Sequence, residues 1–280
     1  MPVILIFTLC ACSNGAKSNP RLIQTWASLK NEKPYSIPKI AQEEEVPLNA
    51  KPWAGTVSHH LLAGNLIDDW FSQLKNLRDV ECFFVISPSH YGLSCQKWSL
   101  ADCVWNTDSV QVFTDSKKEA SLAKTLSVNY DEQVFPGEHG INTLIPYIAK
   151  YFPKAKVCPI ALFGEPPVNQ VDAESLSKAI APYFDKTGKK KNFLLLSTDF
   201  AHHGDYEGTV FKDTRTRTFF NSLEPADWIY CGCDNRPGIY VLAHLLQKDS
   251  QCAIMYHTNS FELSGQDKND ITSYFFTFFW

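Results

Sequence analysis

Residues 83–92, FFVISPSHYG, constrain the fold more than any other stretch of this chain. Phe83, Phe84, Val85 and Ile86 follow one another without polar alternation, the pattern of a strand buried on both faces. Such strands belong to parallel or mixed sheets that helices cover on both sides. Pro88 has no N–H to give a central ladder, so the chain must leave the sheet there. His90 then lies just past the carboxyl end of a central strand, where open α/β sheets bind their ligands. A second run of the same kind, Phe193 to Ser197, leads directly into Thr198-Asp199-Phe200-Ala201-His202-His203-Gly204.

Further elements alternate around these two. Ala54 to Val57 is a short strand ending at Ser58-His59-His60, and Leu62, Leu66, Ile67, Trp70, Phe71 and Leu74 then share one helical face. Glu138-His139 opens a helix bearing Ile141, Leu144, Ile145 and Ile148. Val157 to Phe163 is a strand followed by a Pro166-Pro167 turn, and Leu176, Ala179, Ile180 and Tyr183 mark a further helix. Pro237 suits the first turn of a helix carrying Ile239, Leu242 and Leu246. Ala253 to Tyr256 and Thr272 to Phe279 close the set as strands, with a hairpin between Gly92 and Ser116. The reading is a single three-layer α/β/α sandwich with a mixed, largely parallel central sheet over residues 52–280.

With 280 residues and a net charge of −4, the chain has ample material for one core and no electrostatic reason to bind nucleic acid. Residues 1–16, MPVILIFTLCACSNGA, are too short to span a membrane and resemble a secretory signal. Leu9-Cys10-Ala11-Cys12 looks like a bacterial lipobox with Cys12 as the lipidated residue, which implies a cell-envelope lipoprotein held to the membrane only by that anchor; a cytoplasmic protein is the other reading. Residues 17–51 are polar, contain the Glu43-Glu44-Glu45 run, and read as a tether with one short helix around Leu22 to Leu29. Cys82, Cys158 and Cys252 fall in strands as buried thiols, while Cys95 and Cys103 flank a loop at which a disulfide is left open.

The strand ends and helix starts thus deliver His59, His90, Asp199, His202 and Cys233, with Glu138 and His139 beside them. Imidazoles and a thiolate suit copper, iron or zinc, and a neighbouring carboxylate orients a ligating histidine. Cys233 precedes a helix amino terminus, where the dipole favours thiolate. His60 and His203 read as supporting or packing neighbours, and His244 and His257 as surface or satisfied core histidines.

The runs VSHHLLAG (57–64), SPSHYG (87–92), EHGINTLIPYI (138–148), STDFAHHG (197–204) and CDNRPGIYVL (233–242) resemble the Memo-like family, which includes the AmmeMemoRadiSam system protein B group. The resemblance implies a fold similar to class III (LigB-type) extradiol dioxygenases. It implies His59, His90 and Cys233 as ligands of one transition metal, Fe(II) or Cu with Zn as a further candidate. It implies Asp199 and His202 as the catalytic pair, and Glu138 and His139 as residues that support the ligands; following a buried strand, Asp199 and His202 are expected to face the metal from the side opposite Cys233. Two departures stand out: Ser58 replaces a proline common before the first histidine, and Asp234 stands where many members have glycine. Cys231 competes with Cys233 for the ligand role, and the distance to Pro237 favours Cys233.

Two functions of different class follow. One is a non-haem iron- or copper-dependent oxidoreductase acting on a small molecule or peptide, with His202 moving protons. The other is a metal- or peptide-binding accessory protein linked to radical SAM and AMMECR-type partners, as the family name implies.

Overall fold

The computed structural model describes residues 22–28, 39–92, 97–163 and 170–280. Cys12 with the whole of residues 1–16, Cys95, and the Pro166-Pro167 turn lie outside the described residues. The strands are Ile23–Trp26 (β1), Ala54–Val57 (β2), Cys82–Pro88 (β3), Trp98–Ser99 (β4), Cys103–Asn106 (β5), Gln111–Phe113 (β6), Lys156–Leu162 (β7), Asn192–Ser197 (β8), Phe200–Gly204 (β9), Cys252–Asn259 (β10) and Ile271–Phe279 (β11). The helices are Gly64–Leu77 (α1), Ser116–Leu126 (α2), His139–Asn142 (α3), Ile145–Tyr151 (α4), Gln170–Ile180 (α5), Tyr206–Ser222 (α6), Arg236–Leu245 (α7) and Ser260–Ser264 (α8).

The main sheet runs β10-β11-β2-β8-β3-β7-β4, with β9 pairing β11. Its centre, β2-β8-β3-β7, is parallel, and antiparallel strands close both edges. Apolar runs without alternation are used on both faces. Phe83, Val85, Phe193 and Leu195 join Trp70 and Phe71 of α1 and Tyr147 of α4 in one core. Phe84, Ile86, Leu194 and Leu196 join Leu176 of α5, Phe219 of α6 and Leu242 of α7 in the other. Each fully buried aromatic here holds about 3–5 kcal/mol against truncation to alanine. The expected sandwich is the observed one.

A small second sheet, β1-β5-β6, was legible only in its β5–β6 hairpin. The helix expected at Leu22 to Leu29 is instead β1, paired in parallel with β5. Ile23 and Thr25 are β-branched, and the open edge of β5 offers hydrogen bonds that an isolated short helix would lack. The latter part of the polar stretch is likewise built into the domain. Glu43 donates its N–H to the Met255 carbonyl at 2.8 Å, and the Glu44 carboxylate accepts from Ile254 N–H at 2.7 Å. Arg217 grips Glu43 with two bonds of 2.8 and 2.9 Å. Residues 39–46 thus strap the edge strand β10.

Helices α2 and α6 carry weak apolar stripes, and side-chain caps mark their starts. Asp115 accepts from Lys118 N–H and Asp205 from Gly208 N–H. The helix read from Glu138 onward is two, α3 and α4, with Pro146 in the first turn of α4. Cys103 is a buried free thiol in β5.

Candidate metal centre

Strands β2, β3 and β8 are in parallel register and end together, so their carboxyl ends present His59, His90 and Asp199 to one edge. Helix α3 begins against β3 and adds Glu138 and His139. The rings of His59 and His90 lie 4.8 Å apart, those of His59 and His139 5.2 Å, and those of His90 and His139 3.8 Å. One nitrogen from each of these three histidines lies within 4.8 Å of the other two, a grouping able to hold a metal ion.

The hydrogen bonds behind the rings decide which nitrogens face inward. Ser197 donates its single hydroxyl proton to the Gly140 carbonyl, so toward His59 Nδ1, 3.0 Å away, it can only accept. His59 therefore carries its proton on Nδ1 and turns the lone pair of Nε2 inward, toward Asp234. Burial pushes its pKa down to about 3, outweighing nearby Asp234, so the ring is neutral. His90 Nδ1 bonds Glu138 Oε1 at 2.6 Å, while its backbone N–H donates to Oε2 at 2.9 Å. The same carboxylate caps α3 by accepting from Gly140 N–H. Burial alone would raise Glu138, yet its hydrogen bond to His90 and their attraction hold it below the usual carboxylate value. Burial also depresses His90, but Asp234 and Glu138 outweigh it and carry the ring to about 9. A proton on His90 is thus the simplest cation this pocket holds; a metal ion would displace it. His139 is lowered by burial and then by His90, and its Nδ1 meets the Tyr91 hydroxyl at 3.1 Å.

Asp234 completes the inner face, and the sequence pattern marked it only as a departure. Its Oδ1 accepts from Thr198 Oγ1 at 2.9 Å and from Asp199 N–H at 3.0 Å. Its Oδ2 is buried without a hydrogen-bond partner, as is His90 Nε2. The two face each other at 3.7 Å, with His59 Nε2 3.4 Å from the same oxygen. Orphaned donor atoms converging in this way fit a bound cation.

The remaining expected residues are placed as follows. Asp199 is buried, accepts from Ser58 Oγ at 2.6 Å, and holds Oδ2 3.6 Å from His59 Nε2; burial raises its pKa. It precedes a strand, β9, and caps no helix. Cys233 is buried but is not one of the three grouped imidazoles. Burial, then Asp234, pushes its thiol up to about 12, so desolvation opposes the thiolate expected at the helix start. Cys231 is buried as well, and burial pushes its thiol well above the usual value. Asp199 and His202 do not lie opposite Cys233: β9 bridges to it through Phe200, and Asp234 N–H donates to the Asp199 carbonyl. His202 is exposed, its ring 4.2 Å from that of His203, and the latter bonds Asp270 at 2.6 Å. His60 bonds the Tyr274 hydroxyl at 2.6 Å. His244 bonds the Tyr240 carbonyl and His257 bonds Asp213, the satisfied roles expected of them.

A cleft of about 1160 Å³ opens onto His90, Cys233 and Asp234, with His202 on its wall and Tyr91 and Arg215 among the groups around it. A second hollow is lined by His59 and His139.

Fold and site together define an α/β sandwich with a histidine-rich pocket at the ends of its parallel strands. The chain matches the family described as Memo-like protein over residues 36–264, and it belongs to that family. It is 27% identical to a MEMO1 family protein of Pyrobaculum arsenaticum over 66% of this chain and 64% of that protein, just under two thirds of the latter's length. MEMO1 family proteins of Sulfolobus acidocaldarius and Sulfurisphaera tokodaii are 23% and 24% identical, each over 89% of both chains.

Proposed function

We propose that this chain is a metal-dependent oxidoreductase acting on a small molecule, with iron or copper at the His59, His90 and His139 group. The observation that carries the reading is the convergence of two inward Nε2 atoms with the unpartnered Asp234 Oδ2 beside an open cleft lined by His90 and Asp234. A redox metal there would supply electron transfer at a position that substrate reaches from the cleft. The chain's own groups do the rest. Ser197 and Glu138 hold His59 and His90 with Nε2 inward, and Asp199 fixes the Ser58 turn beside them. His202, on the cleft wall, is the group assigned to exchange protons with substrate. Cys233 borders the same cleft and supplies a thiolate ligand if the metal displaces its proton.

Metal analysis of anaerobically purified protein should return one iron or copper per chain, and His90→Ala should lose most of it with the fold retained. Replacing His202 by Ala should leave the metal and lower oxygen-dependent turnover by about 10²–10⁴-fold, the usual worth of a positioned acid or base. Protein that takes up metal but consumes no oxygen with any reductant would support the second reading, an accessory metal-binding protein working with radical SAM and AMMECR-type partners. The solvent exposure of His202 favours that alternative. Envelope anchoring through Cys12 belongs to the same proposal; full-length protein recovered from the cytosol with Met1 attached would refute it. Among the described residues no helix is long and apolar enough to cross a membrane.

A further inference from the structure

We infer that Asp234 is itself a metal ligand, giving this chain a carboxylate in the coordination shell beside His59 and His90. The inference rests on the reading of this edge as a metal centre and adds a residue that the sequence motif did not assign. Three observations support it. The carboxylate is immobilised: Thr198 Oγ1 and Asp199 N–H together hold Oδ1, which leaves Oδ2 pointing away from its anchors. That Oδ2 is buried and makes no hydrogen bond, a state an anionic oxygen keeps only beside positive charge, which a protonated His90 at 3.7 Å offers and a bound ion would offer in its place. Its neighbours are the two Nε2 atoms that Ser197 and Glu138 turn inward, at 3.4 and 3.7 Å. Donors held about 2.0–2.2 Å from one tetrahedral ion stand about 3.3–3.6 Å from each other, so these separations already approximate two edges of a coordination polyhedron.

The chemical consequence is a shift in hardness. Imidazole serves many transition metals, thiolate draws soft ions such as Cu(I), and carboxylate draws harder divalent ions such as Mn(II) and Fe(II). Asp234 would therefore bias the centre toward a divalent ion over Cu(I). The loop geometry allows this choice at little structural cost, because the backbone of 233–235 is already tied down. Phe200 bridges Cys233, and Asn235 caps α7 while donating to the Ile86 and Ser197 carbonyls.

The test uses metal-stripped full-length protein and titrates Co(II), Mn(II) and Cu(I) separately into wild type, Asp234→Asn and Asp234→Gly. Asparagine keeps an acceptor for Thr198 and Asp199 but presents no anionic oxygen. We expect Asp234→Asn to keep the wild-type melting temperature without metal and to bind Co(II) and Mn(II) at least about tenfold more weakly. Its Co(II) visible absorption should change in position or intensity, while Cu(I) affinity stays close to wild type. Asp234→Gly should show the same loss for the divalent ions. Unchanged Co(II) affinity and spectrum in Asp234→Asn would overturn the inference. So would an equal loss for Cu(I), which would make Asp234 a positioning group for the whole pocket. Wild type that takes up none of the three ions would bring down the metal reading itself. That outcome is separate, because it appears before any variant is compared.

Discussion

Gly140 sits where three parts of the site meet. A Cβ there would collide with Ser87 Oγ and come within 3.1 Å of His90 Cε1 and 3.2 Å of Glu138 Oε1. None of these can yield freely, since Glu138 is tied to His90 and to the α3 cap. Gly140→Ala should therefore leave the distant core folded and lower Co(II) affinity by about 10–100-fold, the range for displacing a group that orients a ligand; a titration giving wild-type affinity would disprove this. Glu119 makes a different residue-scale case. It is fully buried, with Oε1 accepting from Ala101 N–H at 3.2 Å, and burial raises its pKa well above the ordinary carboxyl value. The folded state keeps a proton that the unfolded chain releases above about pH 4.5, so stability falls as pH rises through that point, until the folded group itself ionises. The slope is at most about 1.4 kcal/mol per pH unit. Glu119→Gln should flatten that decline, giving urea midpoints at pH 6 and pH 8 closer together than in wild type.

Among the elements, β10 ends the main sheet on one side, and the 39–46 strap covers its edge. The strap binds by one backbone bond to Met255, by the Glu44 carboxylate on Ile254 N–H, and by the Glu43–Arg217 fork. A β-bulge between Ile254 and Tyr256 lies beneath it. Both devices are ways of keeping an edge from recruiting another strand. A chain beginning at residue 47 should therefore associate or aggregate at concentrations where the full chain is monodisperse. Size-exclusion chromatography of the two would decide, and identical elution would remove the protective role. The strap also explains why a polar, acidic sequence reads as a tether. Its polar partners are backbone groups and an arginine far along the chain, and Ile40 and Val46, which pack on the core, are too few to give an apolar periodicity.

For the whole molecule, the metal reading has a thermodynamic consequence. An ion that binds only the folded state adds about 2.7 kcal/mol at one hundred times its dissociation constant. For a chain of this size that is on the order of 5–10 °C in melting temperature. Adding Co(II) to metal-free protein should give such a rise, and His59→Ala or His90→Ala should abolish it. An equal rise in those variants would place the ion elsewhere.

The architecture was largely legible because it rests on short-range patterns. The unbroken apolar runs at 83–86 and 193–196 require a sheet buried on both faces, and Pro88 with the strand-to-helix junctions requires polar residues at one edge. His59, His90, Glu138 and Asp199 were visible for that reason, with family resemblance supplying roles that spacing could not. What only the tertiary structure decided is which of the delivered groups meet. Sequence places His139 on a helix start and Asp234 in a loop, nearly a hundred residues apart, and nothing local says that both turn toward His90. The tautomer of His59, the raised pKa of His90, the unpartnered Oδ2 of Asp234, and the protonated state of Cys233 depend on desolvation and on hydrogen bonds made across the sheet edge. Those are properties of burial, which exists only once the strands have paired.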